Sequence, residues 1–282
     1  LAARHGPTLL RLAHSLGALH GVLIYRLARG FDRVGLVQKA PGTLTFAILE
    51  ALVGRRRDRL VLLTFLPREL PRRPLRRLAY RAWLVLVERR AIRRSMRAAH
   101  VLTPSDQRRY ARLYRLPPER FHPIRWALSR RGTPLAHDPT AREGVVSSGR
   151  AYCDWETLFA AARRGSWKLT VICSREDLAA VEGLNGAGRA EIHCELPREE
   201  HDRILSRAAV YALCVRDEGP SAGHVRLMAA LDAGPAIVAT DVPGLEGYVE
   251  AGDTALVVPP RDPAAPAAAL EALLGEAAVG TE

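Results

Sequence analysis

Along the second half of the chain, short apolar runs alternate with longer stretches of helical period. The runs Gly144–Ser148, Leu169–Cys173, Glu191–Cys194, Val210–Val215, Ala236–Thr240 and Ala255–Val258 predict strands. Between them, apolar residues recur every three or four positions over Trp155–Arg164, Arg175–Leu184, Arg198–Ala209, Gly223–Ala233 and Pro263–Leu274, predicting helices. Strands that alternate with helices of this length form a parallel, doubly wound sheet. The first half is less regular. It predicts helices over Thr8–Arg29 and Thr43–Val53, a long Arg-rich helix over Pro74–Ala99, and a helix over Asp106–Arg115 opened by Ser105. Strands are expected at Val34–Gln38, Leu60–Phe65, Val101–Thr103 and Phe121–Trp126, which are few for a complete sheet. A Gly- and Pro-containing linker over Ser129–Glu143 divides the chain into domains 1–135 and 136–282.

Charge sharpens that division. Residues 1–142 carry 30 basic against 8 acidic side chains, whereas residues 143–282 carry 12 against 22. Halves of opposite sign imply different partners. No apolar run approaches the ~18 residues that cross a bilayer, and a cytoplasmic setting is expected from the cysteine usage. The chain opens at Leu1. The four cysteines, at 153, 173, 194 and 214, form no Cys-x-x-Cys pair. That spacing supports neither zinc nor a redox dithiol and suits buried small apolar residues in a reducing compartment.

In a parallel sheet the loops that follow strands share one edge, and ligands bind there. Four such loops carry candidate chemistry: Gly149–Arg150, Glu195–Leu196, Glu218–His224 and Asp241–Gly244. Glu218 is suited to accept hydrogen bonds from sugar hydroxyls, and otherwise reads as an exposed loop acid. Ser221, Ala222, Gly223 and His224 supply backbone amides at a helix start, a favourable place for phosphate. Arg150 adds a guanidinium suited to bidentate phosphate contact. No Asp-x-Asp pair is present to hold a divalent ion.

These residues carry a family resemblance. Glu218, then Leu227-Met228-Ala229, then Gly234-Pro235-Ala236-Ile237-Val238-Ala239-Thr240 resemble the Glu-x7-Glu motif and following strand of glycosyltransferase family 4, the group 1 enzymes. The segments Tyr248-Val249 through Val257-Val258-Pro259-Pro260-Arg261-Asp262-Pro263, Val101-Leu102-Thr103-Pro104-Ser105 and Leu116 through Phe121 are similarly familiar. The resemblance implies a GT-B fold of two Rossmann-like α/β domains facing across a cleft. It also implies transfer of a sugar from a nucleotide diphosphate sugar to a glycan or lipid-linked acceptor, with retention and without a metal or other cofactor. Glu218 takes the catalytic position, gripping the donor sugar. Gly149, Arg150, Glu195, Leu196, Ser221, Ala222, Gly223, His224 and Arg226 line the donor, and Lys39 belongs to the acceptor side. Two departures stand out. Arg226 replaces the second acid of the motif, and Ala151-Tyr152-Cys153-Asp154-Trp155 follows Gly149-Arg150 where a lysine is usual. A complete domain of this family opens with a strand and a Gly-rich turn. This one opens on a helix, which implies a truncated or remodelled N-terminal domain.

The Pro74–Ala99 helix has two readings. Arg72, Arg73, Arg76, Arg77 and Arg81 precede the apolar block Ala82–Val87, and Arg89, Arg90, Arg93, Arg94 and Arg97 follow it. Such a helix suits an anionic membrane surface, as a lipid-linked acceptor requires; it equally suits a core helix with a solvated basic face. Nucleic acid is not an expected partner, because aromatic content is only 6% and no single-strand stacking pattern interleaves the arginines. Two other functions compete with transfer: a non-catalytic scaffold, on the strength of Arg226, and a nucleotide-sugar epimerase, which requires further acids in the cleft.

Overall fold

The computed structural model describes residues 16–38, 40–53, 58–67, 73–127, 142–186, 188–217 and 221–279. They divide into two compact units, Leu1–Ile124 and Arg125–Glu282. The boundary expected at 135/136, most of the linker and the start of the Thr8–Arg29 helix lie outside the described residues.

The first unit runs α1 (Gly17–Leu27), β1 (Val34–Val37), α2 (Thr43–Val53), β2 (Leu60–Leu63), α3 (Pro74–Trp83), a π-helical turn (Leu84–Glu88), α4 (Arg89–Ser95), β3 (Met96–Val101), α5 (Pro104–Tyr114) and β4 (Phe121–Pro123). Its strands lie in the order β1-β2-β3-β4, all parallel. Because parallel crossovers are right-handed, an order that advances in one direction puts all crossover helices on one face. The core on that face gathers Phe46, Leu60, Leu62, Phe65, Ile92, Met96, Tyr110, Tyr114 and Phe121. Val37 and Leu63 alternate to the opposite face and stay exposed.

Three local expectations are corrected here. The long helix ends at Ser95 rather than Ala99, because Met96 turns into the sheet and is fully buried beside Leu60. The helix is also interrupted by the π turn, which a 3.6-residue period does not foresee. The α5 helix is capped by Thr103 rather than Ser105: its Oγ1 accepts from Asp106 N at 3.0 Å, and Pro104 occupies the first turn, where a missing N–H costs nothing.

A buried ion pair ties the first unit's elements together. Arg59 donates through Nε to Glu50 Oε2 at 2.7 Å and through Nη2 to Glu50 Oε1, while Nη1 reaches the carbonyls of Ala28 and Phe31. Glu50, an acid that epimerase chemistry would have needed in the cleft, is instead a structural anion.

The second unit runs β5 (Val145–Gly149), α6 (Trp155–Ala162), β6 (Leu169–Cys173), α7 (Leu178–Leu184), β7 (Ala190–Cys194), α8 (Arg198–Arg207), β8 (Val210–Leu213), α9 (His224–Ala233), β9 (Ala236–Thr240), β10 (Leu256–Val258) and α10 (Ala264–Val279). Its six parallel strands lie in the order β10-β9-β8-β5-β6-β7. The order reverses between β5 and β8, so helices cover both faces and two apolar clusters form. One holds Val145, Leu158, Val171 and Leu270; the other holds Leu205, Tyr211, Leu227 and Ile237. The reversal point is where a crevice opens outside the carboxyl ends of the strands.

Candidate functional site

Two loops leave the sheet at this reversal point, one after β5 and one after β8. They are joined by an antiparallel bridge between Cys153 and Val215, with Arg216 N donating to Tyr152 O at 2.9 Å and Asp154 N to Cys214 O at 3.1 Å. Tyr152 takes a positive φ of 56° to make the turn. Gly149 ends β5, where neighbouring side chains occupy the space that a Cβ would take. A Cβ at this position would collide with Cys153 Sγ and Arg226 Nη1.

Arg226 enters from α9. Its Nη1 donates to Ser148 O at 2.9 Å and to Cys153 Sγ at 3.2 Å, and its Nη2 donates to Ala151 O at 3.4 Å. The guanidinium thus clasps the β5 loop from the helix that follows β8. Beneath it, Tyr211 OH donates to Ser148 O at 3.1 Å and lies 3.0 Å from Ser148 Oγ, which is 3.0 Å from His201 Nε2. Burial pushes the Tyr211 phenol above its ordinary range, so it remains a neutral donor.

The N-terminus of α9 is built by Gly223, whose φ of +94° is the left-handed conformation that favours glycine. His224 begins the helix with its ring turned inward: Nε2 donates to Gly244 O at 2.7 Å, and the ring packs on Tyr248 at 4.3 Å between centroids. Gly244 approaches Ser221 so closely that a Cβ would sit 3.1 Å from Ser221 Cα. The helix start carries the positive end of the peptide dipole toward the crevice.

The structure therefore brings together Gly149, Ser221, Gly223, His224 and Arg226 by direct contacts, with the Asp241–Gly244 loop beside them. Ala222 packs partly against the second apolar cluster. Arg150 is exposed at the end of β5. Glu195 and Leu196 follow β7, the strand at the far edge of the sheet, two places from β5. Glu195 has a φ of +52° and is 3.4 Å from Arg175 Nε, while Leu196 packs on the second cluster. Glu218 and Lys39 lie outside the described residues. Sequence reasoning missed the support beneath Gly149, namely Ser148, Tyr211 and His201. Ser148 is more than fifty residues from the other two, and the strand patterns around Ser148 and Tyr211 signal burial without naming a partner. Among the described residues there is no group of three or more His, Cys, Asp or Glu side chains arranged to hold a metal ion.

The sequence pattern of the family described as Glycosyl transferases group 1 matches residues 154–276. A search of curated proteins finds no match. Among solved structures, the chain is similar to Anabaena HepE in complex with UDP, with 13% identity, 93% of this chain and 75% of that chain covered, and a TM-score of 0.67. It is also similar to a sucrose-phosphate synthase from Thermosynechococcus elongatus (20% identity, 95% and 71% covered, TM-score 0.66). A glycosyltransferase from Rickettsia africae is a third (9% identity, 96% and 73% covered, TM-score 0.64). These likenesses establish the GT-B fold class for the chain.

Proposed function

We propose that the chain, whose residues 154–276 match the family described as Glycosyl transferases group 1, transfers a sugar from a nucleotide diphosphate sugar to a glycan or lipid-linked acceptor, with retention and without a metal. The observation that carries this reading is the meeting of a side-chain-free β5 terminus, Gly149, with the Gly223-led start of α9 at the sheet's reversal point. A diphosphate there meets the backbone amides at the start of α9 and the exposed Arg150, charges already in place when the leaving group develops its own. Glu218 grips the donor sugar's hydroxyls. The departing phosphate oxygen takes the acceptor's proton, and the protein contributes mainly by positioning. The similar HepE structure carrying UDP-glucose supports a nucleotide-sugar donor. Calorimetric titration with UDP-, GDP- and dTDP-sugars tests the reading: saturable binding of one is expected, and binding of none overturns it.

The scaffold reading keeps one specific observation in its favour. Arg226 stands where the family has an acid, and its donors are directed at protein acceptors rather than outward. Slow hydrolysis of the bound donor, abolished by Glu218→Gln, excludes a scaffold; binding without any turnover establishes one.

The acceptor's lipid linkage and the membrane go together. On α3 and the π turn, Leu75, Leu78 and Leu86 are 83%, 68% and 54% exposed, and Arg76, Arg77, Arg81 and Arg90 are exposed around them. An apolar stripe rimmed by guanidinium groups fits an anionic bilayer surface, while no helix among the described residues is long and apolar enough to cross one. Co-sedimentation with vesicles containing phosphatidylglycerol, but not with pure phosphatidylcholine, is expected. Leu75→Ser combined with Leu78→Ser should release the chain, and equal binding to both vesicle types overturns this part.

A further inference from the structure

The polar chain beneath Gly149 extends beyond Ser148 and Tyr211 and reaches water. On the first turn of α8, His201 Nδ1 lies 3.3 Å from Asp202 Oδ1, and His201 Nε2 lies 3.0 Å from Ser148 Oγ. Ser148 Oγ lies 3.0 Å from Tyr211 OH, which is 3.1 Å from Ser148 O. Ser148 is 2% exposed and Tyr211 is fully buried, so the inner contacts depend on the protons these groups carry. The His201 side chain is 21% exposed, enough to exchange a proton with water.

Each of these four contacts needs one proton. Asp202 and the Ser148 carbonyl are acceptors only, and the two hydroxyls bring one proton each. A neutral imidazole brings one more, which leaves one contact unfilled. With its proton on Nδ1, one of the three inner contacts lacks a hydrogen; with its proton on Nε2, Nδ1 faces Asp202 lone pair against lone pair. An imidazolium fills all four. Nδ1 then donates to Asp202, Nε2 to Ser148 Oγ, Ser148 Oγ to Tyr211 OH, and Tyr211 OH to Ser148 O. That last acceptor also takes Arg226 Nη1 at 2.9 Å, and what it accepts fixes the plane of the Ser148–Gly149 peptide at the mouth of the crevice.

The surroundings of the ring are mixed in charge. On α8 itself, Arg198 Nε is 3.4 Å from Asp202 Oδ2, and Glu199 and Glu200 join Asp202 in offsetting the positive end of the helix. β5 and β8 present the neutral Ser148 and Tyr211. On α9, which packs against α8, Arg226 is committed to Ser148 O, Ala151 O and Cys153 Sγ, His224 is bonded to Gly244 O, and Asp232 stands in the last turn. Glu195, in the loop that enters α8, is turned to Arg175.

We propose that His201 is a positioning residue of the donor site, working as an imidazolium that orders the Ser148–Gly149 peptide through Ser148 and Tyr211. That the ligand is a sugar donor rests on the transferase reading above; the coupling of His201 to the end of β5 does not. Donor affinity should rise as pH falls, because imidazole is the side chain that gains its charge between pH 8 and pH 5. Two measurements on the full chain test this. In NMR spectra, the Gly149 nitrogen-15 signal senses what its own peptide oxygen accepts, and it should titrate with the same midpoint as the His201 ring. In His201→Gln that pH dependence should vanish, because an amide donates to Ser148 Oγ at every pH. Calorimetry with UDP-glucose, GDP-mannose and dTDP-glucose, whose diphosphate diesters do not titrate in this range, should show about fivefold tighter binding at pH 5.5 than at pH 8 for the one that binds, the worth of one net hydrogen bond. His201→Gln should hold the tighter value at both pH values, and His201→Phe the weaker one. A Gly149 signal that ignores the His201 titration, wild-type binding equal at the two pH values, or a pH dependence that persists in His201→Phe overturns the proposal. A Gly149 signal that follows His201 while no nucleotide sugar binds keeps the coupling and overturns the donor reading instead.

Discussion

Arg226 shows how a single residue changes meaning between sequence and fold. By position it replaces an acid of a family motif, and by type it suggests charge for a diphosphate. In the structure its donors go to Ser148 O, Ala151 O and Cys153 Sγ, making it the clasp that holds the β5 loop to α9. Arg226→Met should therefore lower UDP affinity about tenfold through a misplaced Gly149 loop, since a lost forked contact to backbone is worth roughly 1.5–3 kcal/mol. Arg226→Lys should recover little, because an ammonium lacks the planar fork. Gly149→Ala should be as damaging for a different reason: the new methyl group meets Cys153 and Arg226, and overpacking typically costs about 1–3 kcal/mol. Calorimetry with UDP, read beside the thermal midpoint of each variant, checks all three; a wild-type affinity in Arg226→Met would show that the clasp is dispensable. The glycines of this site were legible in the sequence, because a tight turn after a strand leaves a mark on composition. The clasp was not, since its acceptors are two backbone oxygens and one cysteine sulfur more than seventy residues away.

At the scale of elements, the second unit was legible nearly strand by strand. The central strands β5, β6, β8 and β9 are largely buried on both faces and leave short, mostly apolar runs, while the helices between them leave a period. The first unit was harder to read for identifiable reasons. A π turn breaks the helical period at Leu84, and β3 begins inside what reads as the same helix because Met96 and Ala99 suit either state. The Arg59–Glu50 pair escaped notice because one arginine among many looks like surface charge. It is the more consequential feature, anchoring β2 to α2 and to the end of α1. Arg59→Met should destabilise the first unit by about 3–5 kcal/mol, leaving the Glu50 carboxylate buried and uncompensated. Arg59→Met with Glu50→Leu should regain a substantial part, because no charge then remains to be desolvated. Urea unfolding followed by circular dichroism reads both variants. Equal stability of the single and double variants would mean that water reaches Glu50 once its partner is gone.

At the scale of the molecule, the contrast of charge between halves corresponds to two units with separate cores, and all four cysteines belong to the second. Burial pushes the thiols of Cys173 and Cys214 up to about 11 and about 12 from an ordinary 9.0. A thiol whose pKa is higher in the fold than in the unfolded chain keeps its proton longer in the fold. Above about pH 9 the unfolded chain releases protons that the fold retains, so stability falls as pH rises. By about pH 10.5 this should remove on the order of 2 kcal/mol through Cys214, and somewhat less through Cys173. The first unit has no cysteine among its residues. Its own alkaline liability lies in Tyr110 and Tyr114, whose phenols burial raises from an ordinary value of 10.0 and which therefore begin to matter at higher pH. The second unit should consequently weaken first as pH climbs. Urea midpoints measured between pH 8 and pH 11, with Trp155 and Trp167 reporting the second unit after replacement of Trp83 and Trp126 by Phe, should fall from about pH 9 onward. Cys214→Ala should flatten that fall while leaving the neutral-pH dependence alone. An unchanged slope in this variant would mean that the Cys214 thiol ionises as readily in the fold as in the unfolded chain, and that the carboxyl edge of the donor-side sheet is wetter than its packing indicates.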